Sequence, residues 1–295
     1  MKKLFAAFLA LILIPIIGGC TISNNNKNLD TGTEFSVGIS DVFWENVNLE
    51  YSGFSNKDEF IAEAMYYIES ISEYVSRPNW FTVYKEKHGN DYIVYIEYRL
   101  TDRSSHVESD YLAYLSLIPN LYLNKELFEY RLAPIAHETT HIILPFYSSL
   151  SLREGLASHC QDIFGNPSVF NCSINPHDCA GVYMRTTPDD FNKIFSVIGT
   201  TDNLQESYAA GDSRKVFYIL SHSFTNYLIE TYGIDKFMEL YDSDNLINDY
   251  EVFCGKNIED IKSEWRGHLE YYSDSITYEE LQSQISEILS LHNYP

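Results

Sequence analysis

Basic side chains are scarce in this chain: 20 Lys and Arg stand against 42 Asp and Glu, giving a formal net charge of -22 over 295 residues. Such a polyanion lacks the cations that displace counterions from nucleic acid, so nucleic acid is excluded as a partner. It gains nothing from anionic lipid headgroups either. Cysteine is also rare, with 5 in all and none in a CxxC spacing. That argues against a zinc site built from thiolates. No internal repeat is present. The longest apolar run, residues 4–17, is too short to cross a bilayer comfortably. What the chain does have is aromatic bulk, 24 Tyr, 17 Phe and 3 Trp in a sequence that is 45% hydrophobic. This excludes a disordered protein and lets aromatic packing supply much of a sizeable core.

The apolar run follows Lys2 and Lys3, which is the order of a secretory leader. It ends in Ile17-Gly18-Gly19-Cys20, which resembles a bacterial lipoprotein signal. That resemblance implies cleavage before Cys20, acylation of its sulfur, and an exported chain anchored to the cell membrane and facing outside. The alternative is an ordinary leader (1–19) with an incidental cysteine. Residues 20–36 are mostly polar and rich in Asn, and read as a flexible tether. An exported chain meets an oxidising compartment, and Cys160, Cys172, Cys179 and Cys254 allow three pairings. Cys172 and Cys179 bracket a short loop, which favours that pair.

The folded part is expected over 37–295, with helix and sheet in 37–120 and helices in 121–295. Residues 57–74 carry apolar side chains at helical spacing. Residues 80–85 and 92–99 alternate and are rich in aromatic and β-branched types, with Gly89 and Asn90 between them, so a hairpin is expected. A third strand is expected at 111–117. Helices are expected at 125–132, 134–144, 151–163, 188–197, 213–232, 235–242, 257–272 and 277–291, with a single helix kinked at Pro134 as the alternative for the first two. The order is that of an α+β fold.

Residues 137–141 read His-Glu-Thr-Thr-His. On a helix, positions i and i+4 share a face, so His137 and His141 reach one metal ion. Glu138 sits about 100° round the helix from His137, by the 3.6-residue period, and suits a general base beside that ion better than a third ligand. Pro134 fits the first turn and Pro145 stops the helix. A catalytic zinc needs a third protein ligand and an open position. Leu144 and Tyr147 stand where a metzincin would have Gly and His. Glu154, in the segment Glu154-Gly155-Leu156-Ala157, is the favoured third ligand. His159, Cys160 and Asp162 are its rivals. Ser151-x-x-Glu154 also has the form of a capping box, in which Glu154 would serve only its own helix end.

HETTH followed by LREGLA resembles the gluzincin zinc metallopeptidases, in their compact peptidase-MA-like branch. The segment running from Tyr218 through His222, Ser223 and Phe224 to Tyr227-Leu228 and Tyr232-Gly233 extends the likeness to about residues 110–245. The resemblance implies a zincin-like fold, zinc on His137, His141 and Glu154, and Tyr218 as the phenol that stabilises a developing oxyanion. His222 replaces the small residue usual before the Ser-Phe pair and is a second candidate proton donor. It also implies hydrolysis of peptide bonds, with the peptide or protein substrate added as a strand at a sheet edge, for which 111–117 is the candidate. A monomer is expected. Asp242-Ser243-Asp244-Asn245 is rich in oxygen but lacks the Gly and terminal Glu of an EF-hand, and reads as a solvated helix end rather than a calcium site. The competing function is an exported binding lipoprotein whose zinc is structural, closed by Cys160 or His159.

Overall fold

The computed structural model describes residues 34–39, 41–107, 119–168, 173–202, 212–272 and 274–295. The leader, Cys20, most of the tether, the expected strand at 111–117 and Cys172 lie outside them. Strand β1 (Phe35–Ile39) begins where the tether was expected to continue, and helices α1 (Asp41–Glu45), α2 (Lys57–Tyr74) and α3 (Thr82–His88) follow. Strands β2 (Val94–Thr101), β3 (His106–Val107) and β4 (Asn120–Asn124) complete one sheet. Its order is β1-β2-β4-β3, with β2 parallel to both neighbours and β3 antiparallel to β4. The result is a mixed α+β chain with a small mixed sheet and a large helical part.

The expected hairpin is not formed. Residues 82–88 are helix, because Trp80 and Tyr84 are one helical turn apart and both bury on one side. β2 instead takes Phe35–Ile39 as its partner, with Val37 opposite Ile96. Along β2, Val94, Ile96 and Tyr98 face the core while Tyr95 and Glu97 face away. This is the period of two that a strand with one covered face requires. Helix α2 covers that face with Phe60, Ala64, Tyr67, Ile68 and Ile71. Its N-cap Asn56 accepts the Glu59 amide, as a short polar side chain at a helix start should. Phe60 meets Tyr98 edge-on at 5.0 Å and Phe128 at 5.4 Å. Each such pair adds about 0.5–1.5 kcal/mol beyond simple burial.

From Lys125 the chain is helical among the described residues. The helices are α4 (Lys125–Glu129), α5 (Ile135–Ile143), α6 (Leu150–Phe164), α7 (Pro176–Thr186), α8 (Pro188–Val197), α9 (Asp212–Tyr232), α10 (Ile234–Tyr241), α11 (Leu246–Cys254), α12 (Ile258–Tyr272) and α13 (Tyr278–Leu291). α4 and α5 are separate helices, since Arg131 adopts a positive φ of 57° and Pro134 caps α5. α5 packs between the sheet, α2 and α6, and the long α9 lies along α6. α7 and α11 were not expected from sequence. Asp242 ends α10 and pairs with Arg77, so the 242–245 segment is a helix end tied by an ion pair.

Candidate metal centre

Helix α5 is buried along its whole length, from Ile135 to Ile143. A buried helix must satisfy its terminal amides and carbonyls without water. Here other side chains do so. Gln161 of α6 accepts the His137 amide at 3.0 Å and donates to the Asn166 carbonyl. The Tyr84 hydroxyl donates to the Ile142 carbonyl at 2.7 Å, and that of Tyr241 donates to the Leu144 carbonyl at 3.3 Å. Thr139 and Thr140 bond back to the carbonyls of Ile135 and Ala136. Helix α5 is therefore gripped at both ends, and its side-chain directions are fixed.

His137 and His141 stand ring against ring, with centroids 4.8 Å apart and planes at 88°. Nε2 of His137 lies 3.2 Å from one carboxylate oxygen of Glu154, and Nε2 of His141 lies 3.5 Å from the same oxygen. The three side chains are 5–6% exposed, as is Glu138 beside them. Among the described residues no fourth His, Cys, Asp or Glu joins the group.

Glu154 is not capping its helix. α6 starts at Leu150 after Ser149, and the Ser151 hydroxyl accepts the Gly199 amide at 2.8 Å. Glu154 therefore sits within the helix and faces α5. The rivals for the third position go elsewhere. His159 is held between the Tyr74 hydroxyl and the Asn226 side chain, each at 2.7 Å. Cys160 is buried beside Thr140, and burial pushes its thiol up to about 12. Asp162 lies 3.2 Å from Nε2 of His222, out of line for a hydrogen bond, and burial raises its carboxyl to about 7.

Electrostatics match the geometry. Burial opposes ionisation of Glu154, yet His141, His137 and Arg153 hold its carboxyl well below the usual carboxylate range. Arg153 is itself buried and lies 3.6 Å from the other Glu154 oxygen. Burial, then Arg153, lower His141 to about 4. Burial works the same way on His137, but its contact with Glu154 and the charge of Glu138 win and raise it. The two imidazoles are thus shifted in opposite directions. His141 presents a neutral nitrogen, the form a metal requires. Its Nδ1 has no hydrogen-bond partner among the described residues.

Tyr218 of α9 approaches this group, its ring 6.3 Å from that of His137. His222, one turn further on, is buried and held neutral by burial and by the neighbouring His159, His177 and His137. α9 comes this close because Gly155 lacks a side chain: a Cβ there would strike the Ser221 carbonyl and the Thr225 hydroxyl. That gives Glu154-Gly155 a packing reason. Sequence reasoning missed Gln161, Arg153, Tyr84 and Tyr241. For Gln161 a signal existed, because it follows Glu154 by two helical turns and shares its face.

Compared with known proteins, the sequence matches no family model and no curated protein, and the chain matches no solved structure.

Proposed function

We propose that this chain is a zinc-dependent peptidase of the gluzincin type on a zincin-like fold, exported and held at the cell surface through a lipid on Cys20. One observation carries the reading. Two imidazole nitrogens converge on one oxygen of Glu154 at 3.2 and 3.5 Å, all of them buried, with no fourth protein ligand among the described residues. Ligands around a tetrahedral zinc with bonds of about 2.0–2.1 Å stand about 3.3–3.4 Å apart, so both contacts to Glu154 already have nearly the separation an ion would set. Three protein ligands and an open position are the pattern of a catalytic rather than a structural zinc.

A zinc ion bound there would polarise the scissile carbonyl and bring the pKa of a water toward neutrality. The other steps belong to side chains. Glu138 follows His137 on the same rigid helix. Its carboxylate takes the proton of the attacking water and passes it to the leaving amine. Tyr218 donates its phenolic hydrogen to the oxygen on which charge develops, with His222 as the second candidate donor on α9. An extended peptide or protein substrate adds to the sheet edge that β3 forms among the described residues, where β3 packs against α5. The acidic surface draws neutral or basic substrates.

The test is Glu138→Gln assayed with a peptide library. The variant is expected to take up zinc as the native chain does and to lose cleavage by about 100-fold or more, the scale of a lost proton-transfer group. Cleavage at the native rate by a variant of normal zinc content removes Glu138 as the base. A native chain that holds zinc yet cuts nothing in the library removes the peptidase reading.

A further inference from the structure

A second group of potential ligands lies outside the centre described above and plays no part in the proposed reaction. It joins three helices: His177 from the first turn of α7, Glu230 from α9 and His268 from α12. His177 is 2% exposed. Its Nδ1 lies 2.9 Å from the Ser223 hydroxyl oxygen, and Trp265 donates its indole N–H to that oxygen at 3.1 Å. The indole can only donate, and a serine oxygen has two acceptor sites. The Ser223 oxygen therefore has room for both the indole N–H and an Nδ1–H from His177. That tautomer leaves Nε2 of His177 with a bare lone pair.

That Nε2 has no hydrogen-bond partner, although it lies 3.5 Å from a carboxylate oxygen of Glu230. Nε2 of His268 is likewise buried without a partner. The two imidazoles stand 4.7 Å apart at 82°, walled by the rings of Tyr272 and Tyr227. The three potential ligand atoms all lie within 4.8 Å of one another. With the ring hydrogens on Nδ1, these Nε2 lone pairs and the Glu230 oxygen face one another with no hydrogen between them, and their buried polar cost goes uncompensated. A cation removes it.

We propose that His177, Glu230 and His268 bind a second divalent cation of the zinc type. Two imidazoles with one carboxylate suit zinc and its borderline-soft neighbours better than calcium or magnesium, which take oxygen shells. The His177–Glu230 spacing is already close to the separation of about 3.3–3.4 Å that tetrahedral zinc sets between its ligands. Burial and the neighbouring His268 lower His177 to about 4, so it is neutral, and able to bind metal, near pH 7. Glu230 is exposed and leaves the remaining position open to solvent. An ion here pins α7 and α12 to α9, the helix that also carries Tyr218. Its role is that of a clamp on α9, and it stands whether or not the chain is a peptidase.

The experiment counts zinc per chain by elemental analysis after equilibrium dialysis of the whole protein in detergent. Native protein is compared with His141→Ala, Glu230→Gln and His268→Gln. Glu230 is exposed and His268 only partly buried, so their variants are expected to fold, and far-UV circular dichroism checks this. The expected counts are two ions for the native chain, one for each single variant and none for His141→Ala combined with His268→Gln. A second ion that survives both Glu230→Gln and His268→Gln overturns the proposal, and so does a native count of one that His141→Ala abolishes. A native count of one that His268→Gln abolishes and His141→Ala retains upholds this site and removes the other. A count of zero overturns both.

Discussion

Gly155 of α6 lies against the main-chain carbonyl of Ser221 on α9, with no room between them for a methyl group. The contact fixes how near α9, and with it Tyr218, comes to the His137–His141–Glu154 group. Gly155→Ala is expected to push the two helices apart. Overpacking of this kind costs about 1–3 kcal/mol. Urea unfolding reads the loss of stability. The same variant should lower kcat more than it lowers zinc affinity, because the separation moves Tyr218 on α9 while α6 stays packed on α5 through Glu154 and Gln161. Equal losses in both would place the strain on the ligands instead.

Ser151 and Glu154 are uncoupled, in spite of their capping-box spacing. The Ser151 hydroxyl serves the Gly199 amide, where φ is 73°. Ser151→Ala leaves that buried amide without an acceptor, at a cost of about 1–3 kcal/mol. Zinc affinity is expected to stay at the native value. A large fall in affinity alongside the loss of stability would restore the link between Ser151 and Glu154.

Glu154→Gln keeps the size of the side chain and removes its charge. Outer partners of metal ligands typically change affinity by about 10–100-fold, and a direct ligand should exceed that. Competition with a chelating dye measures it. Native affinity in this variant would show that Glu154 is a neighbour rather than a ligand.

His159 sets a dependence on acid. Burial lowers its pKa below the ordinary 6.5, and the Tyr74 hydroxyl is placed to donate to Nε2 while Nδ1–H donates to Asn226. A base with a depressed folded-state pKa supports the fold fully above its unfolded pKa. That support is lost as pH falls below about 6.5, where the unfolded chain gains the proton more readily. Tyr74→Phe removes the donor that holds the lone pair. Its expected effect is a higher His159 pKa in an NMR titration and a shallower loss of stability between pH 6.5 and lower values. An unchanged titration would rule out Tyr74 as the cause.

The parts of the molecule legible in sequence are those fixed by short spacings. His137 and His141 had to share a face because they stand four positions apart on a helix, and Glu154 follows on the next helix. The proline at 145 and the apolar periods of α2, α9 and α12 were equally local. Long-range pairing was not legible. β1 is five residues long and was not expected, its first two residues falling at the end of the stretch read as tether, since its partner in β2 is nearly sixty positions away. Without that partner visible, β2 was given the nearest aromatic run, 80–85, whose β-like composition hid a helical turn between Trp80 and Tyr84. α7 was missed although Asn175 and Pro176 supply a cap and a first-turn proline. Its polar face diluted the period. The His177 group draws on three distant helices, so no spacing could have announced it.

The side chains that secure α5 at both ends have a kinetic corollary. With Gln161 on a first-turn amide and Tyr84 and Tyr241 on the carbonyls at its far end, this short helix has no frayed turn and no face on solvent. It belongs to the part of a protein that opens only when the whole opens. Its amide hydrogens should therefore exchange as slowly as any in the molecule, and His137 and His141 should keep or lose their alignment together, in one step.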